Sequence, residues 1–170
     1  AFGLIAAAPA MTAQQRIDAV AVLSAACGGD GMVAGQVLDM DHLAQGEADL
    51  RLLHRLKTGA MLQAAAELGC VAAGADDGLR QRARDYGCHI GLAFQVRDDV
   101  LDVVADQGEL GKPIGSDRAE GKRTFVDLLG LEACQALVAE ETAKAKAALA
   151  DLPDSGFLLN LADHLAERRK

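Results

Sequence analysis

Between Phe94 and Asp102 the chain reads Phe-Gln-Val-Arg-Asp-Asp-Val-Leu-Asp, and here its chemistry-bearing side chains crowd together. At about 3.6 residues per turn, a helix through this stretch puts Gln95, Asp98 and Asp102 on one face, at i, i+3 and i+7. Asp98 and Asp102 are then like charges four residues apart. Such a pair costs roughly 0.2–0.5 kcal/mol, which a solvated face would tolerate. The flanking residues argue against full solvation, because Ile90, Leu92, Phe94, Val96, Val100, Leu101, Val103 and Val104 leave little of the helix circumference for water. Carboxylates crowded on a mostly apolar helix want a cation.

Other candidates lie on either side. Lys57-Thr58 falls in the middle of a helical pattern, next to Gly59, where a small residue admits a neighbouring backbone or a ligand. A solvated surface position is the commoner fate of a lone lysine. Upstream, Gln36 and Asp39 are three apart and share a face. Downstream, residues 107–124 break all periodicity with four glycines and one proline. A loop of this length is either a plain connector or a lid or binding loop. Lys112, Arg118, Lys122 and Arg123, arriving just after an aspartate cluster, suit a phosphate.

The elements that must position these groups read as helices. Of 170 residues 51% are apolar, aromatics make up only 3%, and there are 3 prolines, a mix that points to an all-α chain forming a single domain over 1–170. The formal charge of −8 provides no basic stripe for nucleic acid, so nucleic acid is excluded as the main partner. A small anionic substrate remains open if metal ions carry the compensating charge. Cys27, Cys70, Cys88 and Cys134 are widely spaced with no CxxC, the pattern of reduced core residues in a cytoplasmic protein. His42, His54, His89 and His164 are equally scattered and form no ligand set. No uncharged apolar run reaches the ~18–20 residues of a bilayer span, so no membrane span is expected. The opening ten residues lack a basic n-region and read as the end of a helix rather than a signal peptide.

Taken in order, Pro9 stops the first helix, and Thr12 with Gln15 has the form of a capping box for the next. Gly28-Gly29-Asp30-Gly31 weakens that helix before it resumes over 33–40. A polar loop over 41–46 precedes a helix over about 47–69, and the central helix spans roughly 78–106. Shorter helices are expected over 124–129, 131–149 and 157–166, with Arg168-Arg169-Lys170 complementing the last helix's dipole.

The combination of Gln95 with Asp98-Asp99-x-x-Asp102, Lys57-Thr58, Gly111-Lys112, Asp117 and Gly121-Lys122-x-Thr124 resembles the trans-polyprenyl diphosphate synthase family. Phe94 to Asp102 is similar to the second aspartate-rich motif of farnesyl diphosphate synthases, and residues 31–40 to the segment that short-chain bacterial members carry before their Lys-Thr helix. The resemblance runs over essentially the whole chain. It implies helices around a deep cavity with aspartate motifs on opposing walls, and a homodimer. The implied activity is Mg²⁺-dependent condensation of an allylic diphosphate with isopentenyl diphosphate, of the farnesyl or geranyl type.

By the same resemblance, Asp98 would be the main metal ligand, helped by Asp99 and Asp102. Lys57 and Lys112 would bind the allylic diphosphate, with Lys122 assisting from the loop. Thr58 and Gln95 would sit near the reacting carbon and Phe94 would line the cavity. Gln36, placed among the substrate-binding residues, would with Asp39 brace the site, and Arg168-Arg169-Lys170 would close over it. The family's first aspartate-rich motif has no match before Gln36, and Asp76-Asp77, in a loop before Gly78 and Leu79, is no substitute. The resemblance therefore implies roughly the second half of a family member, holding half of a metal site. Two other readings compete. A class I terpene cyclase is disfavoured by Lys57-Thr58 and Gly121-Lys122-x-Thr124, and a non-catalytic helical subunit by the intact Asp98, Asp99, Asp102, Lys57 and Lys112.

Overall fold

Pro9 ends a short first helix, α1 (Phe2–Ala6), and Thr12 starts α2 (Ala13–Cys27) through the expected capping box. Thr12 Oγ1 accepts from the Gln15 amide at 3.2 Å, and Gln15 Oε1 accepts from the Thr12 amide at 2.7 Å. The Gln15 side chain also donates to the carbonyls of Val71 and Ala72, both at 3.2 Å, so the same residue ties two helices together. The structure, a computed structural model, describes residues 1–108 and 123–168, with side chains over 1–104 and 123–168.

After α2 come α3 (Met32–Met40), α4 (Glu47–His54), a π-helical turn (Arg55–Gly59), α5 (Ala60–Ala73) and α6 (Asp77–Gly108). Then follow α7 (Phe125–Leu129), α8 (Leu131–Ala148) and α9 (Gly156–Glu167). The described residues hold helices and no strand, as the composition requires. The glycine run at 28–31 does interrupt the second helix. The helix expected over 47–69 is longer, and its middle is a π turn that hydrophobic spacing does not reveal.

The long α6 is the axis. It packs against α5 on one side and α8 on another, with α9 beside it, while α2 lies on α5. Two apolar clusters form along it. Tyr86, Ile90, Ala145, Leu149 and Ala162 close the earlier part, and Leu50, Leu53, Val96, Val100, Phe125, Cys134 and Leu137 close the later part. Val96 and Phe125 are fully buried. Phe94 to Asp102 is thus fastened on its apolar side, which leaves Gln95, Asp98 and Asp102 on the other.

By length and composition Ala13–Met40 could cross a bilayer, whereas the run of uncharged residues gave no such candidate. The stretch is divided between α2 and α3 by the glycine break rather than forming one continuous helix. It leaves Ile17, Met32, Val33, Val37 and Met40 exposed.

Candidate active site

The π turn holds Lys57 and Thr58 because two neighbouring helices come unusually close to it. A Cβ on Gly35 of α3 would lie 2.2 Å from the Lys57 amide nitrogen, and one on Gly91 of α6 would lie 2.8 Å from the Gly59 Cα. Only glycine fits at both contacts, and the wider turn presents consecutive side chains to different neighbours. Lys57 Nζ meets Asp39 Oδ2 of α3 at 2.6 Å, and Thr58 Oγ1 donates to Gln95 Oε1 of α6 at 3.0 Å.

From Gln95 the polar chain continues along α6. With its oxygen accepting from Thr58, the Gln95 amide group is left to donate, and Nε2 donates to Asp98 Oδ2 at 3.2 Å. Asp98 Oδ1 accepts from Arg168 Nη2, just past the end of α9. The same Nη2 donates to the Phe94 carbonyl at 3.1 Å, and the guanidinium lies 3.8 Å from the centre of the Phe94 ring. Arg97 in turn donates to the Arg168 carbonyl through Nε and Nη2, at 3.2 and 2.8 Å. The residues alone gave Arg168 the helix dipole by default and the resemblance had it close over the site; the structure brings it onto the aspartate stretch from 70 residues away.

The remaining carboxylates diverge. Asp99 Oδ2 accepts from the Phe125 amide at 2.8 Å and so holds the first turn of α7. Asp102 is exposed one turn beyond Asp98, and Gln36 is exposed on α3. Arg123 reaches the small pocket beside Asp39. Lys112, Arg118, Lys122, Arg169 and Lys170 lie outside the described residues.

His54 is a site residue that its isolation in sequence concealed. Its ring stacks on Phe125, with centroids 5.4 Å apart, and both ring nitrogens are buried without a partner of good geometry among the described residues. Burial, then the charge of Lys57, pull its pKa down to about 4 against the opposing pulls of Gln95 and Asp39, so the ring is neutral near pH 7. Its position three residues before Lys57, flanked by Leu52, Leu53 and Leu56, was the available signal.

Asp98 and Asp102 offer hard oxygen donors, with the Asp98 side chain 40% exposed. Among the described residues no group of three or more His, Cys, Asp or Glu could enclose a metal. Within the described residues the wall offers two carboxylates, Asp98 and Asp102, one helical turn apart. That fits a cation such as Mg²⁺, which takes one or two carboxylates, keeps waters and completes its shell from a phosphate.

The chain matches the model of the polyprenyl synthetase family over residues 1–153. It is 40% identical over 172 residues to farnesyl diphosphate synthase of Escherichia coli (strain K12), covering 95% of this chain and 56% of that protein. An apo FPP/GFPP synthase from Zymomonas mobilis superposes with a TM-score of 0.82 at 27% identity, over 97% of this chain and 55% of the other. A geranyltransferase from Helicobacter pylori, complexed with magnesium and isoprenyl diphosphate, gives 0.76 at 32% identity, over 96% and 55%. The chain thus spans little more than half the length of each of these three relatives. Matched by the family model over most of its length and helical throughout its described residues, the chain belongs to the polyprenyl synthetase family.

Proposed function

We propose that this chain supplies the second aspartate wall of a short-chain trans-prenyltransferase, which joins an allylic diphosphate to isopentenyl diphosphate. The observation that carries this reading is the continuous polar chain from Thr58 through Gln95 to Asp98, beside the Lys57–Asp39 pair. Asp98, with Asp102, would hold Mg²⁺. Bound there, the cation would neutralise charge on the diphosphate leaving group.

The chain's own groups do the rest. Lys57, steered by Asp39, offers a compact positive charge to a diphosphate oxygen. Thr58 spends its proton on Gln95, so its oxygen keeps lone pairs for positive charge developing on the allylic carbon. The Phe94 ring gives an apolar surface against which a prenyl chain can lie. Such a site works by position and fixed electrostatics, with no covalent intermediate on the protein. Asp99 would support the site by fixing α7, and Lys112 and Lys122 would add charge toward the diphosphate. A homodimer in the cytoplasm, with product length of the farnesyl or geranyl type, completes the proposal.

The test is Asp98→Ala in the complete protein, assayed with an allylic diphosphate, isopentenyl diphosphate and Mg²⁺. Turnover should fall about 10³-fold, roughly 4 kcal/mol of barrier, while the thermal midpoint stays close to that of the parent. Near-parental turnover would sink the assignment. A parent protein that consumes the allylic diphosphate without isopentenyl diphosphate would point instead to a cyclase.

A further inference from the structure

The carboxylate on which the proposed site turns already has a cation, and it belongs to the protein. Arg168 Nη2 donates at once to Asp98 Oδ1 and to the Phe94 carbonyl, and the guanidinium face covers the Phe94 ring. Its side chain is 17% exposed, less than half the exposure of the Asp98 side chain. The seat is nevertheless incomplete, because Arg168 Nε is buried with no partner among the described residues. An arginine with a stranded donor is held less firmly than one whose fork is fully used.

We propose that Arg168 is the resting counter-ion of Asp98 and that it competes with a divalent cation for the same carboxylate. This rests on the reading that Asp98 binds such a cation. Gln95 occupies one oxygen of Asp98 and Arg168 the other, so an incoming cation finds both oxygens engaged. A guanidinium and a dication on one half-exposed carboxylate repel each other, whereas the neutral Gln95 amide can stay. Arg168 is therefore the partner that yields.

Its backbone need not travel with it. The two bonds from Arg97 to the Arg168 carbonyl do not involve the Asp98 charge, so they remain as an anchor while the side chain swings out. Without the cation, Arg168 keeps Asp98 and Phe94 in place and compensates a carboxylate on an apolar helix. With it, the Arg168 side chain leaves Asp98 while its carbonyl stays on Arg97. Arg168 is in this sense a positioning residue, acting through Asp98, that sets how much cation is needed to load the site.

The test measures Mg²⁺ binding calorimetrically in the complete protein and four variants: Arg168→Gln, Arg168→Lys, Asp98→Asn and the Arg168→Gln/Asp98→Asn double. Arg168→Gln keeps much of the packing on Phe94 and removes the charge, and should bind Mg²⁺ about tenfold more tightly. Arg168→Lys restores a charge and should return most of the way to the parent. Unchanged or weaker Mg²⁺ binding by Arg168→Gln overturns the competition, even if Asp98→Asn abolishes binding and so upholds the cation site. If Asp98→Asn binds Mg²⁺ as the parent does, the cation reading itself fails, and the competition with it. In the double variant the tightening should vanish, and its persistence would also overturn the proposal.

Discussion

The two halves of α6 treat charge in opposite ways. The first half is a donor of bases. Arg80 and Arg84 reach Glu67 of α5, at 2.9 and 2.5 Å, and His89 meets Glu141 of α8 at 2.7 Å. Both acids are almost fully buried, at 7% and 4% exposure, and both project from helix interiors. The second half presents acids, and what meets them are helix ends. Asp98 takes Arg168, just beyond α9, and Asp99 takes the first amide of α7. A partner in a helix interior cannot leave without unpacking the bundle, but a helix end can. The earlier cluster is built to stay, and the later one to exchange.

The largest test of that contrast sets Glu67→Gln against Asp98→Asn. Losing one partner of a buried ion pair costs about 3–5 kcal/mol when the charge left behind stays buried. Arg80 and Arg84 are 21% and 32% exposed, so water recovers part of the loss, and Glu67→Gln should lower unfolding stability by about 3 kcal/mol. In Asp98→Asn the stranded charge is Arg168, which can turn to solvent. That variant should lose less, about 1–2 kcal/mol, because the Asp98 side chain is already 40% exposed and keeps an oxygen as Asn. Urea unfolding of the complete protein would check both, and a reversed order would break the distinction between fixed and exchangeable acids.

A second effect, on the order of 3 kcal/mol, separates the halves by pH. His54 belongs to the later cluster, and its folded pKa of about 4 lies below the 6.5 of the unfolded chain. The unfolded state therefore binds the extra proton first. Stability should be full above about pH 6.5 and decline as pH falls toward 4, by an amount set by that pKa gap. Glu141 contributes only lower down. Burial favours its neutral form, but hydrogen bonds from His89 and Lys144 outweigh that and hold its pKa below the usual value of 4.5. His54→Phe keeps the stack on Phe125 and removes the titration. Its stability should be nearly flat between pH 6.5 and 5, where the parent is already falling, and an unchanged slope would show that His54 is not buried as described.

How much of this was legible beforehand follows from range. The capping box at Thr12, the glycine break at 28–31 and the helix carrying Phe94 to Asp102 are local features, and each reads directly from neighbouring residues. The π turn at Arg55–Gly59 was hidden, because it is forced by Gly35 and Gly91 on two other helices. The resemblance brought the Arg168-Arg169-Lys170 end over the site, but nothing near Arg168 in sequence says that its partner is Asp98. His54 read as one scattered histidine among four, and only the arrival of Phe125 and Gln95 from distant segments makes it a site residue. The family resemblance placed Lys57, Thr58, Gln95 and Asp98 together, but it could not say what each does while no ligand is bound.

The smallest test concerns Asp99, which the sequence groups with Asp98 and the structure separates from it. Its carboxylate accepts the Phe125 amide at 2.8 Å, and that bond locates a fully buried ring against His54. Asn at this position still offers an oxygen to the amide and gives up only the charge assistance, so the stability loss should be about 1 kcal/mol. If Asp99 acts only through α7, Asp99→Asn should leave Mg²⁺ affinity within about twofold of the parent while Asp98→Asn lowers it at least tenfold, a gap of about 1.4 kcal/mol per decade. Calorimetric titration of the two variants side by side decides the matter. Equal loss in both would make Asp99 a direct ligand and enlarge the exchangeable cluster. Loss in Asp98→Asn alone would confine exchange to the one carboxylate that faces Arg168.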